Sequence, residues 1–314
     1  MQLITFNDAD HLLSWTAVAD ALEAGHKLSK AEIGDLLLRK DANSLLSRAA
    51  WIDEIGVALK SMSVFPENGA LDPPKPSIHG ATLLFNRQDG SVDAVIDGIL
   101  VTKWKTAGDS VLGARLLASE NPKTLLVVGA GTVARTLFPA YREIFPSITS
   151  FRIFNRNPES ADRLISEFTP DGFEIERVED LGLAAVEADI IACATMSNEP
   201  VLRGEWVQPG THVDLIGAFR PDMREADDDL ILNSELFVDS RSTTLGHIGE
   251  VQTPIDQGII TENHIRGDLY DLCNGTMGRS GPDAITVFKN GGGAHLDLMV
   301  SALIKQVFEN NQAA

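Results

Sequence analysis

The chain has 314 residues, enough for two domains, and its 44% hydrophobic and 23% charged content is that of a globular protein rather than a disordered one. A formal net charge of −19 excludes nucleic acid or an anionic membrane as the main partner, because either would be repelled. An anionic ligand must then meet a local cluster of cations. Cys193 and Cys273 stand far apart in no metal-ligand spacing, which reads as two free thiols in a reducing compartment. Met1 to Asp10 lacks the basic-then-apolar pattern of a signal peptide. No apolar run approaches the ~20 residues that span a bilayer, so a cytoplasmic protein is expected.

Residues 8–25 read as a helix, capped by Asn7 or Asp8, with Leu12, Trp15, Ala19 and Leu22 on one face. From about Trp51 to Val101 the pattern is that of strands, at 57–59, 61–65, 81–85 and 92–96, separated by Gly, Pro, Asn and Asp. Residues 71–77 form a Pro-rich loop. A helix over 106–119 leads to Asn121-Pro122, which marks a domain boundary. Beyond it strands and helices alternate: a strand at 124–128, a helix over 132–145 with a kink expected at Pro139, and a strand at 151–154. Asn157 and Pro158 then start another helix. Further strands are expected at 173–178, 189–194, 212–216 and 236–239. This alternation is that of an α/β, doubly wound parallel sheet of the Rossmann kind. From about Gly293 an amphipathic helix carries Leu296, Val300, Leu303, Ile304 and Val307 on one side.

Gly129-Ala130-Gly131-Thr132-Val133-Ala134 follows the strand at 124–128 and opens a helix. Gly129 allows the tight turn, Gly131 lets backbone approach a pyrophosphate, and Ala134 permits close helix–strand packing. The amides of Thr132 and Val133, at the helix N-terminus, face the phosphates. At the end of the next strand, where an NAD enzyme usually carries an acid for the ribose 2′-OH, stand Asn155 and Arg156. Arg156 can pair with a 2′-phosphate, which favours NADPH over NADH. The alternative is a solvated loop cation. Thr195, at the end of the strand at 189–194, reaches the ribose on the nicotinamide side, whereas Cys193 belongs to the core.

In order along the chain, these motifs resemble the ornithine cyclodeaminase/μ-crystallin family. The resemblance rests on Ala58-Leu59-Lys60, Phe65-Pro66-Glu67-Asn68, Ile96-Asp97-Gly98 and Lys105-Thr106-Ala107, then the fingerprint and Asn155-Arg156-Asn157-Pro158. Gly217-Ala218-Phe219-Arg220-Pro221, Gly246-His247-Ile248-Gly249-Glu250, Gly278-Arg279 and Lys289-Asn290-Gly291-Gly292-Gly293-Ala294 to Asp297 complete it. The family implies an α+β substrate and dimerisation domain, 1–118 plus 290–314, into which the Rossmann domain, 119–289, is inserted, and a homodimer. It also implies Arg48, Lys60 and Lys105 as cationic contacts of a carboxylate substrate, and Thr106 beside the cofactor. Lys105 stands where most members have arginine, so a point charge replaces a bidentate fork. Glu225 matches an acid common in the family.

Phe219 occupies the loop position where cyclodeaminases carry an acid/base aspartate, and phenylalanine accepts no proton. The resemblance therefore implies an imine reductase using NADPH, with NADH as a second possibility. Its substrate would be a small cyclic imino acid, Δ1-pyrroline-2-carboxylate or the six-membered Δ1-piperideine-2-carboxylate. Three alternatives stay open: ornithine cyclodeaminase, an alanine dehydrogenase-like amino-acid oxidoreductase, and a non-catalytic cofactor-binding crystallin. His79 has pocket and packing readings of equal weight. So does Asp297, at the active site or as a helix N-terminal charge. His212, His247, His264 and His295 are dispersed, so no metal site is expected. Asp227-Asp228-Asp229 reads as a solvated loop.

Overall fold

The computed structural model describes residues 1–169 and 172–313. The chain divides into two units: Met1–Lys105 with the segment from Gly293 on, and Thr106–Gly292.

The first unit opens with β1 (Gln2–Ile4), α1 (Phe6–Ala9) and α2 (Trp15–His26). The single helix expected over 8–25 is broken here. Thr5, completed by Asp8, caps α1, and a 3₁₀ turn covers Asp10–Leu12. Ser14 is extended, and its hydroxyl accepts the Ala17 amide at 3.2 Å to start α2 afresh. Five strands follow: β2 (Glu32–Lys40), β3 (Asn43–Ile52), β4 (Gly56–Val64), β5 (Ile78–Phe85) and β6 (Val92–Asp97). Sheet order is β1-β6-β5-β4-β3-β2, antiparallel except for β1 on β6. The β2–β3 hairpin has no counterpart among the expected elements, and the expected strands at 57–59 and 61–65 are one strand, β4. Its period of two sends Ala58, Lys60 and Met62 to the buried face. The closing helix, Ala294–Ala313, packs on β3, β4 and β5.

Helix α3 (Gly98–Leu117) begins before the expected 106–119, because Asp97 accepts the Ile99 amide at 2.7 Å. The division between the units falls within α3 rather than at Asn121-Pro122.

The second unit continues with β7 (Thr124–Val128), α4 (Thr132–Ile144), β8 (Ser150–Phe154), α5 (Pro158–Phe168), β9 (Ile175–Arg177), α6 (Leu181–Val186) and β10 (Ile190–Cys193). After these come β11 (His212–Leu215), α7 (Asp228–Asn233), β12 (Glu235–Val238), α8 (Arg241–Thr244) and α9 (Gly249–Asp256). The unit ends with β13 (Ile265–Asp268), α10 (Leu269–Cys273) and β14 (Thr286–Lys289). The eight strands are parallel throughout, in the order β13-β12-β14-β11-β10-β7-β8-β9. Such strands are covered on both faces, which is why β10, β11 and β14 are buried at every position. The fold is α/β, as the alternating pattern indicated.

Pro139 lies inside α4 without interrupting it, and the strand expected at 173–178 shortens to β9. β13 and β14 were not among the expected strands. Asp227 is no solvated loop residue: it caps α7, accepting the Leu230 amide at 2.9 Å and that of Gly204 at 2.9 Å. Arg279 is a structural tie, donating to the carbonyls of Leu117, Gly210, Gly281 and Pro282. Among the described residues no helix is long and apolar enough to cross a membrane.

Candidate active site

Strand order reverses between β7 and β10: from β7 the chain builds outward through β8 and β9, and from β10 through β11 in the other direction. The carboxyl ends of two such strands bound the crevice in which parallel α/β sheets hold dinucleotides. At this place Gly129 turns the chain with φ of 114°, and a Cβ there would lie 2.6 Å from the Ala194 carbonyl oxygen. Gly131 is the N-cap of α4, where a Cβ would meet nothing within 4 Å. Thr132 is exposed, Val133 half-buried and Ala134 fully buried. The helix start is thus open where phosphates would approach and closed where the helix meets the sheet. These residues fit a dinucleotide.

Asn155 and Arg156 follow β8. Asn155 Nδ2 donates to the Asn157 carbonyl at 2.8 Å, and Asn157 Oδ1 accepts the Glu159 amide to cap α5. Arg156 is exposed and makes no hydrogen bond or ion pair among the described residues. Thr106 lies in α3, where its carbonyl accepts from Asn290 Nδ2 at 3.0 Å.

Thr195, two residues past β10, is held by a carboxylate. Its hydroxyl donates to Glu225 Oε1 at 2.8 Å and its amide to the same oxygen at 2.7 Å. Glu225 Oε2 accepts the Gly217 amide at 2.6 Å and that of Ala218 at 3.3 Å. The backbone that carries Glu225 is itself fixed, because Glu250 accepts the amides of Glu225 and Ala226 at 2.7 and 2.9 Å. Burial is the main cause that pushes Glu225 up to about 7; Lys289 and the Thr195 donors oppose the rise, and Glu250 adds to it. Phe219, on the same loop, is 56% exposed, with the Arg220 guanidinium over its ring at 5.6 Å. Asp222 is ion-paired to Arg220. Burial, aided by Glu225, Glu250 and Asp214, raises the Cys193 thiol, consistent with a core residue and not a nucleophile.

Arg48 and Lys60 stand on the sheet of the first unit, and Lys105 lies buried in α3. Arg48, Lys60 and Thr82 are register partners across β3, β4 and β5, so their side chains share a face. Lys60 Nζ, almost fully buried, donates to Asp297 Oδ1 at 2.6 Å. Asp297 Oδ2 and Thr82 Oγ1 are buried without a hydrogen-bond partner among the described residues. Asp297 therefore sits on this face as the ion-pair partner of Lys60. Arg48 forks onto Asp35, with Nη2 to Oδ2 at 2.8 Å. Burial, then the charges of His26, Lys105, Arg48 and Lys30, depress the buried His295 well below the usual histidine range. His79 is exposed on β5. The sequence reading missed Thr82, whose only signal is its register opposite Lys60, and His295, which lies two residues before Asp297.

The model of the ornithine cyclodeaminase/mu-crystallin family matches residues 49–313. A Δ1-pyrroline-2-carboxylate reductase of Paracoccus denitrificans is 48% identical over 307 residues, covering 98% of this chain and 96% of the relative. One from Colwellia psychrerythraea is 33% identical over 264 residues, covering 83% of this chain and 82% of that one. The solved structure of Thermococcus litoralis Δ1-pyrroline-2-carboxylate reductase in complex with NADH and L-proline superposes with a TM-score of 0.90 at 28% identity, covering 99% of this chain and 98% of that one. With a family model spanning most of its length and relatives of this identity, the chain belongs to the ornithine cyclodeaminase/mu-crystallin family.

Proposed function

We propose that the chain reduces a cyclic imino acid, Δ1-pyrroline-2-carboxylate to L-proline, with NADPH as its preferred cofactor and the six-membered Δ1-piperideine-2-carboxylate as a further substrate. The observation that carries this reading is the likeness to the Paracoccus denitrificans reductase, 48% over nearly the whole of both chains. The geometry supplies the chemistry. Gly129, Gly131, Thr132, Val133 and Ala134 form the phosphate cradle, and Arg156, exposed beside uncharged Asn155, takes the 2′-phosphate. Thr106 and Thr195 complete the cofactor set. When bound, the reduced nicotinamide supplies the hydride that turns the C=N bond into C–N.

Lys60 and Lys105 hold the substrate carboxylate, and the ion pair with Asp297 fixes where the Lys60 ammonium sits. Arg48 adds positive potential on that face while its fork is engaged by Asp35. Holding C2 in line for hydride addition is a positioning task, worth roughly 7–11 kcal/mol at its limit. The imine nitrogen is basic enough to arrive protonated, so hydride addition to C2 needs no enzymic acid, and Phe219 offers none. The cation-bearing unit is the substrate domain and the parallel-sheet unit the dinucleotide domain. A homodimer formed through the first unit is supported by the exposed leucines of its edge strand. Two buried free cysteines suit the cytoplasm.

The test is to mix the protein with NADPH and Δ1-pyrroline-2-carboxylate and follow loss of absorbance of the reduced nicotinamide. NADH, pyruvate with ammonia, and L-ornithine with NAD serve as controls. Rapid loss with proline formed is the expected result; ammonia release from ornithine without imine reduction would overturn it.

A further inference from the structure

The cofactor fingerprint lies at the carboxyl end of β7 and Arg156 at that of β8. In a parallel α/β sheet this leaves the carboxyl ends of β10 and β11 for the nicotinamide half of a dinucleotide. Both ends are loops: Thr195 follows β10 by two residues, and Gly217 follows β11 by two. Backbone hydrogen bonds of the sheet stop before them. What joins them is one carboxylate. Oε1 of Glu225 accepts two donors from Thr195, and Oε2 accepts the amides of Gly217 and Ala218. The approach of the loops is tight, because a Cβ on Gly217 would sit 1.8 Å from the Thr195 carbonyl oxygen. Glu250, at the start of α9, grips the backbone of Glu225 and Ala226 from behind. Gly249 lets α9 come that close, since a Cβ there would lie 2.3 Å from the Pro221 carbonyl oxygen.

We propose that Glu225 is a positioning residue that holds the loops after β10 and β11 in register for the nicotinamide half of the cofactor, with Glu250 anchoring it. This rests on the nicotinamide-cofactor reading above, but not on the identity of the imine. All four donors face the carboxylate, so its two oxygens cannot be replaced by an amide without setting an NH₂ against an N–H. A glutamate whose task was only to satisfy buried amides would affect the unit as a whole. A clamp on two loops affects one half of one ligand.

The experiment uses two probes of the same site, NADPH and adenosine 2′,5′-bisphosphate, which lacks the nicotinamide half. Their affinities are measured by protein fluorescence on the full chain, wild type and Glu225→Gln. The expected result is a loss of about tenfold in NADPH affinity, the scale of losing hydrogen bonds to a charged group, with that of the bisphosphate unchanged. Glu225→Asp, which keeps the charge, recovers part of the loss. Equal weakening of both probes, or of neither, overturns the proposal. Should Glu225→Gln not fold, Glu250→Gln loosens the same backbone one step further away and gives the same selective pattern more weakly; a non-selective loss there overturns the proposal equally. Wild-type protein that binds NADPH but leaves the imine untouched defeats the proposed reaction and not the clamp.

Discussion

Lys60 carries its charge on a strand where its neighbours on the same face, Ala58 and Met62, are core residues, and a single carboxylate, Asp297, answers it. Replacing one member of a buried pair strands the other, at a cost of about 3–5 kcal/mol. A lost activity alone would thus say little about Lys60. We expect Lys60→Met to lower kcat/KM for the imine by about 100-fold, or about 2.7 kcal/mol, and to lower the thermal midpoint as well. In the double variant Lys60→Met with Asp297→Leu the midpoint returns and the activity does not. Recovery of both would remove Lys60 from the substrate site. Arg156 permits a cleaner test, being exposed and unpaired among the described residues. Arg156→Ala should raise KM for NADPH by about tenfold, the worth of one charge-assisted contact, and leave KM for NADH within about twofold. Equal effects on both cofactors would assign Arg156 to the solvated loop.

At the scale of elements, β2 stands out. It is an edge strand with Leu36, Leu37 and Leu38 each about half exposed, beside exposed Leu45 and Trp51 of β3. Long apolar edges invite pairing with another chain, and Leu36→Glu with Leu38→Glu should halve the mass seen by sedimentation. A wild-type protein that sediments as a monomer would refute the homodimer. The same leucines explain why the hairpin was not legible in the sequence: three in a row show neither period two nor period 3.6, and all three are exposed where apolar residues are expected inside. By contrast β7, the fingerprint and α4 were legible because each step there is local. The apolar run makes the strand, Gly129 the turn, and a helix start follows. The start of α3 was hidden because Ile99, Leu100 and Val101 suit a strand as well as a helix, and the Asp97 cap decides between them. The Lys60–Asp297 pair joins residues 237 positions apart, and no spacing rule reaches that far. Glu225 and Glu250 stood in recognisable motifs, but what they hold was not legible, because their partners are mainly backbone amides, which every sequence possesses and none displays.

Over the whole molecule, buried titratable groups set how stability follows pH. Asp214, which accepts from the Tyr141 hydroxyl at 3.0 Å, is pushed up to about 7 by burial, as is Glu225. Folded pKa values above the unfolded ones mean that this stability is fully present below about 4 and is lost as pH rises through about 7. His212 has the opposite sign. Burial depresses it to about 3, so its contribution is present above about 6.5 and is lost as pH falls toward 3. Two carboxyls outweigh one histidine, so a net decline remains between about 4 and 6.5, steepens from 6.5 to about 7 and ends there. We expect the thermal midpoint to fall as pH rises from about 5 to 7 and to level off above, and Asp214→Asn, which still accepts from Tyr141, to flatten that decline. An unchanged slope in the variant would show that Asp214 is ionised in the fold at all these pH values.

Cys193 gives the molecule a reporter of its own. Its thiol is fully buried in the middle of the parallel sheet, two residues before Thr195, and burial holds it in the unreactive protonated form. A thiol reagent in solution can reach it only when the sheet opens, so the labelling rate counts openings rather than collisions. A ligand that binds the closed form slows that count by the factor 1 + [L]/Kd. The native chain can therefore time its own occupancy, with no dye, no engineered residue and no turnover.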